Sequence, residues 1–200
     1  MSVETIFTDI YRKNKWSGVS RSGPGSELQQ TETIRALLPE LFKELQATSL
    51  LDIPCGDFFW LKEINLDFLS YVGADIVEDI IRYNRKHYSS WNRTFIKLDI
   101  LTDILPKVEL ILCRDLLVHF SFNDIFKAVK NIRKSGSKYL LTTSFMSTAE
   151  NHDIVTGTWH PLNLLLPPFS FPRPIKIIDE KSPVVAARNK SLILWNVSDL

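Results

Sequence analysis

From residue 49 onward, short apolar runs alternate with segments of helical length, and this alternation restricts the fold more than any other feature. The runs are Ser49–Pro54, Tyr71–Asp75, Thr94–Asp99, Val108–Cys113 and Lys138–Thr143. Between them, 57–66, 77–90 and Ser121–Lys134 read as helices, the last stopped by Gly136. Strand–helix–strand alternation demands right-handed crossovers and a parallel, buried sheet. Two late runs, Pro174–Asp179 and Leu192–Val197, are separated by a polar stretch without helical pattern, which predicts a closing antiparallel hairpin. The expected architecture is α/β, with a seven-stranded, mostly parallel sheet.

Ahead of this alternation, residues 3–13 carry Val3, Ile6, Phe7 and Ile10 on one helical face. The stretch Trp16–Ser26 holds three glycines and a proline, so it reads as a loop. Ser26 and Gln29 are spaced as a capping box for a helix running to about Gln46. Pro39 should kink that helix or start a second one. Between 146 and 173 no helix or strand is expected, and a connection that long inside a domain is normally functional or disordered. Five of the ten prolines fall in or just after it, at 161, 167, 168, 172 and 174.

Composition excludes several classes. Apolar residues make up 44% and charged residues 24%, as in an ordinary globular chain. A net charge of +1 offers no field for nucleic acid or an anionic membrane. The beginning, MSVETIFTDIYRKNK, lacks the apolar core of a signal peptide, and no run is long enough to span a bilayer. The two cysteines, Cys55 and Cys113, have no metal-binding spacing, so no metal site is expected and a reduced cytoplasmic setting is.

In open α/β sheets, ligands bind beyond the carboxyl ends of the strands. Asp52, Asp75, Asp99 and the Arg114–Asp115 pair stand at those ends. Asp75 follows Gly56 by 19 positions, a spacing that suits a carboxylate accepting from a ribose diol. A pyrophosphate cradle would need G-x-G-x-x-G, and here Gly56 stands alone between Pro54 and Phe58. A cofactor without phosphate, S-adenosylmethionine, fits these residues better.

At this point the chain resembles a family. Leu50-Leu51-Asp52-Ile53-Pro54-Cys55-Gly56-Asp57 is similar to the first motif of class I S-adenosylmethionine-dependent methyltransferases, with Pro54 and Phe58 in place of the outer glycines. The D-x-P-C-G-D-F-x-W form resembles a small bacterial subgroup associated with polysaccharide or specialised-metabolite pathways. Ser22–Ser26, Pro161–Leu164 and Pro167–Phe169 extend the resemblance over most of the chain. It implies a Rossmann-like, doubly wound fold and one methyltransferase domain over 1–200. Residues 1–48 would form a helical cap and lid, and 49–200 the cofactor-binding core with a specificity loop at 146–173.

By this resemblance Asp52 organises the first loop near the cofactor's methionine end, Gly56 passes under the ligand, Pro54, Cys55 and Asp57 also bind the cofactor, and Asp75 holds the ribose. Ile76 and Ile100 pack on the adenine, Asp99 accepts from its amino group, and Arg114 and Asp115 lie by the sulfonium. Trp16 and Ser26 are lid contacts. His119 or Asp115 is the candidate base, and Trp159, His160 and Asn163 are candidate acceptor contacts. Cys55 and Cys113 also read as small buried fillers, and Trp60 and Trp195 as core. The implied activity is methyl transfer to oxygen or nitrogen of a small polar metabolite or sugar. The alternatives are a protein or peptide acceptor, or a non-catalytic cofactor-binding partner protein.

Overall fold

A computed structural model describes residues 2–200 of this chain. The chain divides into two compact units, Met1–Asp99 and Ile100–Leu200.

The first unit opens with helix α1 (Val3–Arg12), capped by the Ser2 hydroxyl, which accepts from the Thr5 N–H. A loop and a short 3-10 turn at Pro24–Ser26 lead to α2 (Glu32–Glu44). The expected Ser26 capping box does not form. Thr31 occupies the cap position without a capping bond, because its hydroxyl donates back to the Glu27 carbonyl. Pro39 lies inside α2, which continues through it to Glu44. Strands β1 (Ser49–Asp52), β2 (Ser70–Asp75) and β3 (Arg93–Lys97) pair in parallel in the order β3-β2-β1. Helix α3 (Glu78–Tyr88) makes the β2–β3 crossover.

The helix expected over 57–66 is absent. That segment contains only a 3-10 turn at Leu61–Glu63. Gly56 and Phe58 both have positive φ, +52° and +57°, which stops a right-handed helix at its first turn. The Phe58 ring instead packs among Tyr71, Tyr88 and Phe95 at centroid distances of 5.3–5.4 Å.

In the second unit, β4 (Leu110–Cys113) pairs in parallel with β5 (Tyr139–Phe145). Helix α4 (Phe122–Lys134) connects them, capped at Ser121 and closed by Gly136 at φ +66°. Strands β6 (Lys176–Asp179) and β7 (Lys190–Asn196) form the expected antiparallel hairpin. β7 lies between β5 and β6 and is antiparallel to both. All but its last residue are buried, and residues 192–195 form an unbroken apolar run rather than an alternating one. The strand order is β3-β2-β1 in the first unit and β4-β5-β7-β6 in the second, seven strands of a mixed, mostly parallel Rossmann-like sheet.

Residues 146–173 contain neither helix nor strand, yet they are tied down. Asn151 is the main tie: its Nδ2 donates to the carbonyls of Asn163 and Pro167, both at 2.9 Å, and its Oδ1 accepts from the Asn163 N–H at 2.8 Å. Trp60 and Trp195 are buried, as are the two free cysteines. No helix among the described residues is long and apolar enough to cross a membrane.

Candidate functional site

In the first unit, the turn after β1 is held from three sides. Cys55 N–H donates to the Ala74 carbonyl at 2.8 Å, extending the pairing with β2. Gly56 N–H donates to Asp75 Oδ2 at 3.2 Å, and the Val77 N–H donates to Asp75 Oδ1 at 2.9 Å. Asp75 is thus fixed at the end of β2 with 5% exposure. Burial pushes its carboxyl up to about 6, against the opposing pull of the backbone donors at Val77, Gly56 and Ile76. Asp52 is also buried, and its Oδ2 accepts the Tyr71 hydroxyl at 2.7 Å. Gly73 permits this bond. A Cβ there would stand 2.9 Å from the Tyr71 hydroxyl oxygen and 2.6 Å from the Phe95 ring.

The N-terminal loop closes on the same turn. Asp57 accepts from the hydroxyls of Ser20 (2.9 Å) and Ser22 (3.0 Å) and from the Arg21 N–H (2.9 Å). Its own N–H donates to Ser22 Oγ at 2.8 Å. The space a Gly56 side chain would take belongs to Ser22, whose Oγ lies 2.2 Å from an ideal Cβ at that position. Trp16 packs over Gly23, and Ser26 ends the 3-10 turn with its N–H on the Gly23 carbonyl. Pro54, Ile76 and Asp99 are partly exposed, and Ile100 is buried. Burial raises the Cys55 thiol well above its usual value, so it stays protonated and is no nucleophile.

In the second unit, the residues after β4 enter a buried charge network that the sequence reading did not anticipate. Arg114 donates to Glu180 through two nitrogens, at 3.2 and 2.7 Å, and its third lies 3.2 Å from Asp115 Oδ2. Lys190 pairs with Asp115 and lies 3.4 Å from Glu180. Side-chain exposures are 4% for Arg114, 1% for Glu180 and 6% for Lys190, against 26% for Asp115. Burial opposes ionisation of Asp115, but the Lys190 and Arg114 charges prevail and hold its carboxyl at about 2. Asp115 has φ +55°, and its N–H donates to the Thr143 hydroxyl at 2.9 Å.

His119 closes the 3-10 turn at Leu117–His119. Its Nδ1 lies 2.7 Å from the Thr158 carbonyl, which can only accept, so Nδ1 carries the proton and Nε2 the lone pair. Burial lowers its pKa, with the Thr158 bond and Asp115 pulling the other way. His160 is placed alike, Nδ1 donating to the His152 carbonyl at 2.7 Å, while its buried Nε2 has no partner. Two backbone bonds join these segments, from Gly157 N–H to the His119 carbonyl and from His160 N–H to the Val118 carbonyl.

The other two acceptor candidates differ. Trp159 is 46% exposed, edge-on to Phe145 at 5.7 Å. Asn163 is buried and spent on its own loop, donating to the Thr148 carbonyl and accepting from the Leu165 N–H. Phe169 packs on Phe122 and Phe126, and Phe171 on Trp195. Sequence reasoning named Ser22 only within the Ser22–Ser26 stretch, and it missed Thr143, Glu180, Lys190 and Asn84, whose Nδ2 donates to the Gly56 carbonyl at 2.7 Å. Asn84 alone left a signal, as a polar residue on the Ile80–Ile81 stripe of α3.

No family model and no curated protein matches this chain. Its fold, however, matches solved methyltransferases. Human N-acetylserotonin methyltransferase in complex with S-adenosylmethionine (SAM) superposes with a TM-score of 0.65 at 14% identity, over 97% of this chain and 59% of that one. This chain therefore spans under two thirds of that enzyme's length. Magnesium protoporphyrin IX methyltransferase from Synechocystis PCC 6803, with S-adenosylhomocysteine (SAH) bound, gives 0.61 at 11% identity, over 98% and 99%. The N-methyltransferase NodS from Bradyrhizobium japonicum WM9 gives 0.63 at 11% identity, over 86% and 98%. The fold is the α/β fold of SAM-dependent methyltransferases.

Proposed function

We propose that this chain is a SAM-dependent methyltransferase acting on oxygen or nitrogen of a small polar metabolite or sugar. The observation that carries the reading is Asp75. A carboxylate has about four acceptor positions, and two backbone donors are assigned to its oxygens individually. The group thus keeps acceptor capacity for a ribose diol, and those bonds would favour its ionised form. The half-buried Ile76 beside it suits an adenine face, and Asp99 would take the adenine amino group. When bound, SAM supplies an activated methyl group on a sulfonium, so the protein's task is mainly positioning and proton removal.

His119 would remove that proton. It is neutral near pH 7, its tautomer is set by the Thr158 carbonyl, and its Nε2 lone pair can accept from a hydroxyl or ammonium group. Asp115 is too weak a base for this role. Its fixed negative charge would instead stabilise the imidazolium formed on His119. The ordered 146–173 segment, with Trp159 and His160, would select the acceptor. Two buried cysteines outside any disulfide agree with a reduced cytoplasmic setting.

Calorimetric titration with SAM and SAH tests the cofactor assignment. Micromolar binding that Asp75→Ala abolishes is expected. Failure of the unmodified protein to bind, or equal binding by Asp75→Ala, refutes it. SAH release against a panel of sugars and amines then identifies the acceptor, and His119→Ala should remove that release while leaving SAH binding intact.

A further inference from the structure

Gly56 is anchored through both of its backbone polar groups. Its N–H holds Asp75, and its carbonyl accepts Asn84 Nδ2 from the middle of α3 at 2.7 Å. A carbonyl cannot donate, so the amide orientation of Asn84 is settled. The same Nδ2 lies 3.7 Å from Cys55 Sγ. Asn84 is fully buried, at 0% exposure, and its Oδ1 has no partner.

That arrangement is a poor way to stabilise a helix packed on a sheet. Ile80, Ile81 and Asn84 share the buried face of α3, and an apolar residue at 84 would carry no orphaned Oδ1, leaving the Gly56 carbonyl with only the 3.5 Å Cys55 Sγ contact. The amide meets one need that an aliphatic side chain cannot: it fixes the Gly56 carbonyl. Gly56 sits at φ +52°, where a glycine is free to reorient. If its carbonyl were released, its N–H would lose its fixed direction toward Asp75.

We propose that Asn84 is a positioning residue for the cofactor's ribose carboxylate, acting through the Gly56 backbone on Asp75. This rests on the reading of Asp75 as the ribose site. It adds a residue outside the strand-end loops on which cofactor affinity depends, without requiring any contact between Asn84 and the cofactor.

The test uses SAH and two variants, Asn84→Ala and Asn84→Leu. Leucine keeps most of the volume and removes the orphaned Oδ1 while taking the amide donor from the Gly56 carbonyl, so it should still fold, with a modest fall in melting temperature. Both variants should bind SAH about tenfold more weakly, the loss of roughly one net hydrogen bond. A merely structural role would not move the pH dependence of binding. Here its midpoint should shift upward, because the Gly56 N–H is among the donors that hold the Asp75 carboxyl down. The charged or titratable neighbours Asp57, Asp52 and Cys55 remain the same in all three proteins. In the unmodified protein, the Asn84 side-chain amide protons should exchange more slowly once SAH is added.

Absence of SAH binding to the unmodified protein would overturn the cofactor reading itself. Binding there, with affinity and pH midpoint unchanged in folded Asn84→Leu, would overturn only the role of Asn84. If neither variant folds, the amide-exchange measurement decides: no change on adding SAH refutes the proposal.

Discussion

Replacing Glu180 with leucine should destabilise the protein far more than its position at a strand end suggests. The network holds two cations, Arg114 and Lys190, and two anions, Asp115 and Glu180. Three of the four side chains are at most 6% exposed. Glu180→Leu leaves two buried cations facing one anion. Removing one partner of a buried pair costs about 3–5 kcal/mol, because the charge left behind is uncompensated. For a chain of this size each kcal/mol corresponds to about 2–4 °C, so the melting temperature at pH 7 should fall by about 6–20 °C. Arg114→Met should cost a similar amount for the opposite reason, leaving Lys190 against two carboxylates.

The double variant separates charge balance from simple loss of contacts. Arg114→Met with Glu180→Leu leaves Lys190 paired with Asp115, one charge of each sign. Its loss should therefore fall short of the sum of the single losses by about 2 kcal/mol or more, within the usual range for coupled neighbours. Urea unfolding of the four proteins measures this directly. Losses that add within about 0.5 kcal/mol would refute the reasoning, since independent sites behave that way. Acid gives a second reading. The folded pKa of Asp115, about 2, lies below its unfolded value. Its contribution is therefore complete above about pH 4 and is lost as pH falls toward 2.

Other outcomes follow from the two units separately. Asp75 has a raised pKa of about 6, and SAH binding should favour its ionised form. Affinity should then weaken below about pH 6, and binding near that pH should release protons, visible as a dependence of the calorimetric heat on buffer; a flat profile from pH 5 to 8 would contradict it. Asp57→Ala removes the three donor contacts that hold the N-terminal loop, so trypsin should cut after the exposed Arg21 about tenfold faster. An unchanged cleavage rate would show that the loop is held elsewhere. Gly56→Ala drives a Cβ against Ser22 Oγ at a positive φ and should cost more than about 2 kcal/mol. Adding Ser22→Gly should recover part of that loss, the steric part; no recovery would place the whole cost in the backbone.

The β/α alternation was legible because strands such as β1 and β4 are nearly unbroken apolar runs and the crossover helices show an apolar stripe, as Ile125, Ala128 and Ile132 do on α4. The late hairpin was legible too, since no helical pattern separates its strands. The segment 57–66 misled because its composition suits a helix, and nothing local announces that Phe58 will take a positive φ to reach Tyr71 and Phe95. Ser26 misled for a related reason: the loop before α2 uses its own backbone bonds and places the helix start at Glu32.

The site divides along the same line. Asp52, Gly56 and Asp75 could be singled out as candidates because they stand at strand ends, whose sequence positions are readable. Glu180 and Lys190 flank the β6–β7 connection, 66 and 76 positions beyond Arg114, and only the strand order brings them to it. Asn151 and Asn163 show the converse. Polar residues in a long loop look like ligand contacts, yet a loop without helix or strand must satisfy its backbone groups somewhere, and these two asparagines do that. In such a segment the residues with capacity to spare are the better acceptor candidates. By that criterion His160, whose buried Nε2 is unpartnered, and the half-exposed Trp159 outrank Asn163.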